Sequence, residues 1–218
     1  PNGDFRMSAR VVISDYLEEG KTPVACRQAF SGTVLNSAAN CGSGVTITNR
    51  FVFSGQDFAM FSYRHAFHAG NHADVLKHVV LVQTLVHACQ KEAPVFYIDT
   101  HAGAGVYALD GKAAMKNAEF ASGIARLWHE AHLPESLAQY LSYVRALNTD
   151  GKLAIYPGSP FIADAILRSQ DRLRLFELHP AEIGMLDRNM TELARDRQER
   201  GLPPVRGKRT IVEKKDGF

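Results

Sequence analysis

Three short, mostly apolar runs, each followed by an acidic residue, dominate the hydrophobic pattern of the chain. Residues 95–98 lead to Asp99, residues 173–176 lead to Glu177, and residues 210–213 are followed closely by Asp216. Short apolar runs of this kind are typical of strands buried in a parallel sheet. Because open parallel sheets bind ligands at the carboxyl ends of their strands, the pattern predicts an α/β sheet with three carboxylates at one edge.

The stretches between these runs carry helical spacing. We expect Asn71 to cap a helix that runs to about Lys91, and Ser159 to cap another, after a turn at 156–160, that runs to about Arg168. Further helices are predicted over 117–130, 134–147 and 180–198. The first two of these three fall between the first and second strands and indicate a small helical insertion at about 107–155.

The turn after the first strand predicts a nucleotide site. Gly103 and Gly105 permit positive φ and let a ligand approach the backbone closely. In such sheets the acid after the second strand, here Glu177, accepts hydrogen bonds from ribose hydroxyls, and Asp216 could reach an adenine amino group. A dinucleotide loop would add a third glycine and place its acid about 20 residues later, so a nicotinamide-dependent oxidoreductase is disfavoured. Clustered acids suit a cationic sulfonium such as S-adenosylmethionine.

Residues 1–59 differ from the rest of the chain. They contain none of the nine histidines, are rich in Ser, Thr, Asn and Gly, and carry only short apolar pieces at 11–13 and 45–47 that could be strands. We expect them to be a poorly ordered extension outside the functional domain at 60–218, with Met60 a plausible natural start.

Composition narrows the class of protein further. The 218 residues are 45% hydrophobic and 22% charged, without a membrane-length apolar window or a signal pattern, so we expect a cytoplasmic protein. The net charge is only +2, but positions 188–215 hold nine Lys/Arg against four Asp/Glu. This stretch is either a solvated helix face or a phosphate-binding patch, and the second reading supports an alternative function as a non-catalytic RNA-binding module.

Four histidines between positions 65 and 78 raise the question of a metal site. His68 and His72 would share a face if the helix began earlier, and Asp74 is close to both. Because no HExxH pattern or cysteine pair completes a ligand set, we expect no metal and instead a group of polar side chains beside the glycine turn.

At this point the chain closely resembles the bacterial RlmJ family. The resemblance rests on the stretch 63–78, which reads YRHAFHAGNHADVLKH, and on 99–105, 156–160, 177–180 and 216–218, and it covers 60–218 in order. The family consists of 23S ribosomal RNA adenine-N6 methyltransferases that use S-adenosylmethionine. The resemblance therefore implies a Rossmann-like methyltransferase fold, incomplete here, with a helical insertion, and a monomer whose partner is 23S ribosomal RNA.

The resemblance also assigns roles to individual residues. It implies that one set of residues contacts the cofactor, namely His78, His101, Ser159, Glu177, Asp216 and Gly217. It implies that Tyr63 touches the RNA, with His65 and Lys77 close to the reacting site. The family's catalytic Asp-Pro-Pro-Tyr motif does not occur in this sequence, and Pro203-Pro204 follows Leu202 and cannot replace it. We therefore expect no catalytic residue within these 218 positions and a fragment of the enzyme with doubtful activity.

Overall fold

The computed structural model describes residues 9–13, 65–199 and 209–217. Its strands are β1 (Ala9–Ile13), β2 (Val95–Asp99), β3 (Val106–Ala108), β4 (Ile155–Pro157), β5 (Arg172–Phe176) and β6 (Thr210–Glu213). Its α-helices are α1 (His72–Ala88), α2 (Lys112–Asn117), α3 (Ile124–Trp128), α4 (Glu135–Ala146), α5 (Ser159–Ile166) and α6 (Pro180–Glu199). No helix in these ranges is long and apolar enough to cross a membrane.

The main sheet has four parallel strands in the order β1-β2-β5-β6. The three strands predicted from apolar runs are confirmed as β2, β5 and β6, and their carboxyl ends meet at one edge. The sequence prediction of an α/β, Rossmann-like arrangement is therefore confirmed. Parallel neighbouring strands need a crossover connection. Helix α5 lies on the chain between β2 and β5, and α6 lies between β5 and β6.

Strand β1 comes from the stretch for which the sequence predicts a poorly ordered extension. It pairs with β2 over its full length, from Ala9 opposite Val95 to Ile13 opposite Asp99. The possible strand at 11–13 lies within β1, whereas the one at 45–47 lies outside the described residues. The division at residue 59 stays a prediction, but these five residues join the sheet beside its central strand.

Helix α1 begins where its cap was predicted. The side chain of Asn71 accepts a hydrogen bond from the backbone N–H of Asp74 at 2.9 Å, which satisfies an amide of the first turn. The helix ends at Ala88, three residues before the predicted end. It packs against α4 and α5, and its fully buried Leu85 belongs to the same core as Tyr97 and Leu175 of the sheet.

One prediction in the insertion is wrong in detail. The single helix expected over 117–130 is split into the end of α2, a 3-10 turn at Glu119–Ser122 and α3. The breaks fall at Ala118, which has φ of +50°, and at Gly123, where a Cβ would overlap the carbonyl oxygen of Gly70. The chain is bent there because it packs directly on the backbone before α1. The helix expected over 134–147 is confirmed as α4.

The turn expected at 156–160 is also different. Residues 155–157 form β4, which pairs with β3 in a two-stranded antiparallel ribbon, and Gly158 rather than Ser159 is the N-cap of α5. Ser159 is the first residue of the helix, and its hydroxyl donates to Asp99 at 2.6 Å. Helices α2 to α4 lie along the chain between the two strands of this ribbon.

Candidate functional site at the carboxyl ends of the parallel strands

Asp99 lies at the centre of the sheet edge. Its side chain is fully buried, and its Oδ2 accepts hydrogen bonds from the Tyr97 hydroxyl at 2.8 Å and the Ser159 hydroxyl at 2.6 Å. Its Oδ1 accepts the backbone N–H of His101 at 3.2 Å. Asp99 therefore joins the glycine loop (residues 100–105) to the start of α5, and it brings the predicted site residue Ser159 to the loop.

The glycine loop is shaped by contacts that a side chain would prevent. Gly103 has φ of +60° and a Cβ there would overlap the Tyr107 hydroxyl, which accepts the N–H of Ala104 at 3.1 Å. Burial, with the nearby charge of Glu182, raises the pKa of Tyr107 well above its usual value, so this hydroxyl stays neutral. The loop thus presents bare backbone beside a neutral hydrogen-bonding group.

Glu177 binds the loop from the neighbouring strand. One carboxylate oxygen accepts the N–H of Gly103 at 2.8 Å, and the other accepts the N–H of His179 at 2.7 Å. Since each carboxylate oxygen has two lone pairs, both can accept a further hydrogen bond from a ligand. The half-buried side chain is therefore fixed in place and still able to bind hydroxyl groups.

The end of the described chain approaches the same loop. A Cβ at Gly217 would lie 2.5 to 2.9 Å from three atoms of Thr100, so only glycine fits there without displacement. The adjacent Asp216 is exposed, as is His101, whose Nδ1 lies 3.0 Å from the Thr100 hydroxyl. Five of the six predicted cofactor residues therefore lie on segments that meet at the glycine loop.

The sixth, His78, is placed differently. It is buried in α1, where its Nδ1 lies 2.9 Å from the Tyr156 hydroxyl, which in turn contacts the Tyr140 hydroxyl at 2.9 Å. Tyr156 is in β4, directly before the loop that carries Gly158 and Ser159. His78 is therefore connected to the glycine loop through Tyr156 of β4.

Two predicted RNA-site residues, His65 before α1 and Lys77 within it, both contact Asp74 of α1. His65 Nε2 lies 2.8 Å from Asp74 Oδ2, and Lys77 Nζ lies 3.2 Å from Asp74 Oδ1. The His65 ring also packs on Tyr107, with ring centroids 5.2 Å apart. Tyr63 lies outside the described residues, so its predicted contact with RNA stays a prediction.

The histidines considered as metal ligands have other contacts. His68 Nδ1 lies 2.9 Å from a Glu119 oxygen, and Asn71 donates to the same carboxylate. Within the ranges 9–13, 65–199 and 209–217, no group of three or more His, Cys, Asp or Glu side chains is arranged to hold a metal ion. Glu119 instead connects the insertion to the segment before α1.

Comparison with known proteins identifies the family to which this arrangement belongs. A family model described as ribosomal RNA large subunit methyltransferase D, RlmJ, matches residues 92–215, which include the glycine loop, Ser159 and Glu177. The chain belongs to the RlmJ family. The resemblance seen in the sequence and the fold class are thereby confirmed.

Two RlmJ relatives are similar over much of the chain. The ribosomal RNA large subunit methyltransferase J of Escherichia coli K12 is 45% identical over 159 residues, which are 73% of this chain and 52% of the relative. The protein of the same name from Haemophilus influenzae is 49% identical over 134 residues, 61% of this chain and 48% of the relative. The chain thus spans about half the length of the curated relatives it matches.

A solved structure gives the same result for the fold. Protein LPL1258 of Legionella pneumophila, of family model DUF519, superposes with a TM-score of 0.57 at 38% identity. The match covers 69% of this chain and 50% of that protein. The two chains therefore share the same α/β core over the matched residues.

The basic stretch at 188–215 is largely paired where the structure describes it. Arg209 is buried and forms an ion pair with the buried Asp164, which Arg197 also approaches at 3.5 Å. Arg195 pairs with Glu192 and Glu199 on the surface of α6. These arginines stabilise the packing of α6 and β6 on α5 or lie on a solvated helix face, while residues 200–208 lie outside the description.

Two residues of this RlmJ site were not predicted as site residues. Asp74 was noted only as a possible metal ligand, although its position three residues after an Asn N-cap and before Lys77 is a signal of a role at the helix start. Tyr107 carries no sequence signal, because its contact with Gly103 depends on how the loop folds back on β3.

Proposed function

We propose that this chain forms the cofactor-binding part of an RlmJ-type enzyme that acts in the cytoplasm. The enzyme would use S-adenosylmethionine to methylate the N6 amino group of an adenosine in large-subunit (23S) ribosomal RNA. The observation that carries the proposal is the Glu177 carboxylate, held between the amides of Gly103 and His179 at the carboxyl end of β5. The names of the relatives support the methyltransferase class and the RNA substrate.

The residues present fit such a cofactor. Asp99, Glu177 and Asp216 lie on segments that meet around a glycine loop with little side-chain bulk. Carboxylates near the loop favour a positively charged sulfonium, and a fixed carboxylate is a good acceptor for ribose hydroxyls. When bound, the cofactor would supply the methyl group.

The protein's own groups would divide the remaining tasks. Glu177 would orient the ribose, the exposed Asp216 would accept from the adenine amino group, and Gly217 would keep that segment against Thr100. Ser159 would hold Asp99 and the start of α5 in position. His101 and His78 complete the proposed cofactor set, His78 through its contact with Tyr156.

The RNA would approach from the segment before α1. His65 packs on Tyr107 beside the glycine loop, and Tyr63 continues this segment in the sequence. The Lys77 ammonium contacts the same Asp74 carboxylate as His65. Cationic side chains next to a cofactor site suit an RNA phosphate or a flipped base. The family match favours this enzyme over the alternative of a non-catalytic RNA-binding module, whose basic stretch is paired internally at Arg195, Arg197 and Arg209.

Calorimetry with S-adenosylhomocysteine tests the cofactor part of the proposal. The parent chain should bind it, and Glu177→Gln should weaken binding by about 10- to 100-fold, because a charged acceptor of a hydroxyl hydrogen bond is worth about 1.5–3 kcal/mol. Glu213→Gln is the matched control, since Glu213 ends the neighbouring strand and pairs with Arg174 and Lys215. Absence of binding by the parent chain, or an equal loss in both variants, would contradict the proposal.

The proposed substrate requires a second measurement. Fluorescence anisotropy with a fragment of large-subunit ribosomal RNA should show binding that weakens steeply as salt increases. Lys77→Met should reduce both the affinity and the dependence on salt. Binding that is the same for Lys77→Met and the parent would remove the RNA role proposed for Lys77.

A further inference from the structure

The carboxylate of Asp74 lies at the junction between α1 and the segment that precedes it. Its residue is 1% exposed, and its Oδ2 accepts hydrogen bonds from His65 Nε2 at 2.8 Å and from the N–H of Gly70 at 3.0 Å. Its Oδ1 lies 3.2 Å from Lys77 Nζ. One carboxylate therefore contacts both of the RNA-site residues that the structure describes.

The electrostatics of this carboxylate show that it is ionised. Burial alone would raise the pKa of Asp74, but hydrogen bonding and charge from His65, with the charges of His78 and Lys77, outweigh burial and lower the pKa well below its usual value. The charge of Asp74 also contributes to the raised pKa values of three buried tyrosines, Tyr107, Tyr140 and Tyr156. Asp74 is thus a buried anion surrounded by basic side chains and neutral hydroxyls.

The Asp74 carboxylate is the group that both His65 and Lys77 contact. Without it, the His65 ring and the Lys77 ammonium would lose the acceptor that they share. With it, His65 is directed against Tyr107, whose hydroxyl accepts the N–H of Ala104 in the glycine loop. Ala66, next to His65, lines the same cavity as Ala104 and Tyr107.

We propose that Asp74 is a positioning residue that holds His65 and Lys77 in a fixed arrangement beside the glycine loop, where they meet the RNA. The inference deepens the proposed function and rests on it for the identity of the RNA ligand. The contact geometry stands independently of that identity. Asp74 would act through its two partners and not touch the RNA itself.

The test compares Asp74→Asn with Glu119→Gln. Both variants replace a carboxylate by its amide, and both carboxylates contact the segment before α1, but Glu119 contacts His68 and Asn71 rather than His65 and Lys77. Side-chain nitrogen–proton NMR of the histidines, recorded across pH, reads out the His65 contact. Circular dichroism checks that each variant is folded.

The expected results separate positioning from general stability. In Asp74→Asn, His65 should lose its proton at a lower pH than in the parent, because a neutral amide stabilises a protonated ring less than a carboxylate does. RNA affinity should fall about 10-fold, and affinity for S-adenosylhomocysteine should change less than twofold. Glu119→Gln should leave the His65 titration and RNA affinity close to those of the parent.

Several outcomes would overturn the inference. An unchanged His65 titration in Asp74→Asn, or an equal loss of RNA affinity in both variants, would do so. If Asp74→Asn does not fold, the contact is tested by NMR of the parent protein. A slowly exchanging, downfield ring N–H of His65 supports the contact with Asp74, and the absence of this signal refutes it. If the parent binds neither RNA nor S-adenosylhomocysteine, the proposed function fails, whereas the His65 titration still tests the contact.

Discussion

Replacing Gly103 by alanine tests how the glycine loop is built. The change adds one methyl group at a position where φ is +60° and where the Cβ would overlap the Tyr107 hydroxyl. Either the backbone of the loop or the ring of Tyr107 must move. Both movements disturb hydrogen bonds, because Tyr107 accepts the N–H of Ala104 and Glu177 accepts that of Gly103.

The expected cost has two parts. A non-glycine residue in the left-handed region loses about 1–2 kcal/mol, and overpacking a buried site costs a further 1–3 kcal/mol or so. Gly151→Ala isolates the first part, since Gly151 has φ of +78° and no atom within 4 Å of a Cβ. Gly103→Ala should therefore reduce the free energy of unfolding by about 2–5 kcal/mol, and Gly151→Ala by about 1–2 kcal/mol.

Urea denaturation of four proteins measures both parts. The proteins are the parent, Gly103→Ala, Tyr107→Phe and the double variant, and Gly151→Ala is measured beside them for the first part. Removing the Tyr107 hydroxyl removes the overlap, so the double variant should be about 1–3 kcal/mol more stable than the sum of the single changes predicts. If Gly103→Ala costs no more than Gly151→Ala, or if Tyr107→Phe gives no such compensation, the packing argument for the loop is wrong.

Three further predictions concern the framework around the site. Arg209→Met should lower the free energy of unfolding by about 3–5 kcal/mol, because it leaves the buried Asp164 without its main partner, whereas Arg195→Met on the surface should cost at most about 1 kcal/mol; urea denaturation of both variants checks this. Gly184→Ala should raise the urea midpoint by an amount equivalent to about 0.8–1 kcal/mol, since Gly184 is inside α6 and no atom lies within 4 Å of a Cβ there. A lower midpoint would contradict this packing. The pKa of Asp74 is lower in the folded than in the unfolded chain. Its stabilising contribution is therefore complete above about pH 4 and is lost as pH falls further. The difference in urea midpoint between the parent and Asp74→Asn should accordingly narrow below about pH 4.

Asp99 illustrates how the structure changed the meaning of a predicted feature. The sequence placed it as one of three strand-end acids that could face a ligand. In the structure its carboxylate is fully buried and already accepts from Tyr97, Ser159 and His101, so its main task is to fix the loop. Glu177 and Asp216 remain accessible for a ligand.

The sequence alone indicated three strands of the main sheet, the start of α1 and the family. Apolar runs marked β2, β5 and β6, and the Asn71 cap marked the start of α1, because these signals depend on neighbouring residues along the chain. The motif at 63–78 indicated the family that the comparison then showed. Local signals were imprecise where distant contacts also act, as at Ser159, which is the first residue of α5 rather than its cap and donates its hydroxyl to Asp99.

Only the tertiary structure decided how the glycine loop is held. Gly217 meets Thr100, Glu177 meets Gly103, and Asp74 joins His65 to Lys77, and the first two pairs connect residues more than 70 positions apart. Such contacts depend on how helices and strands pack, which no periodicity along the chain encodes. The acids at the strand ends were visible in the sequence, whereas the division between acids that fix the loop and acids that can bind a ligand follows from packing.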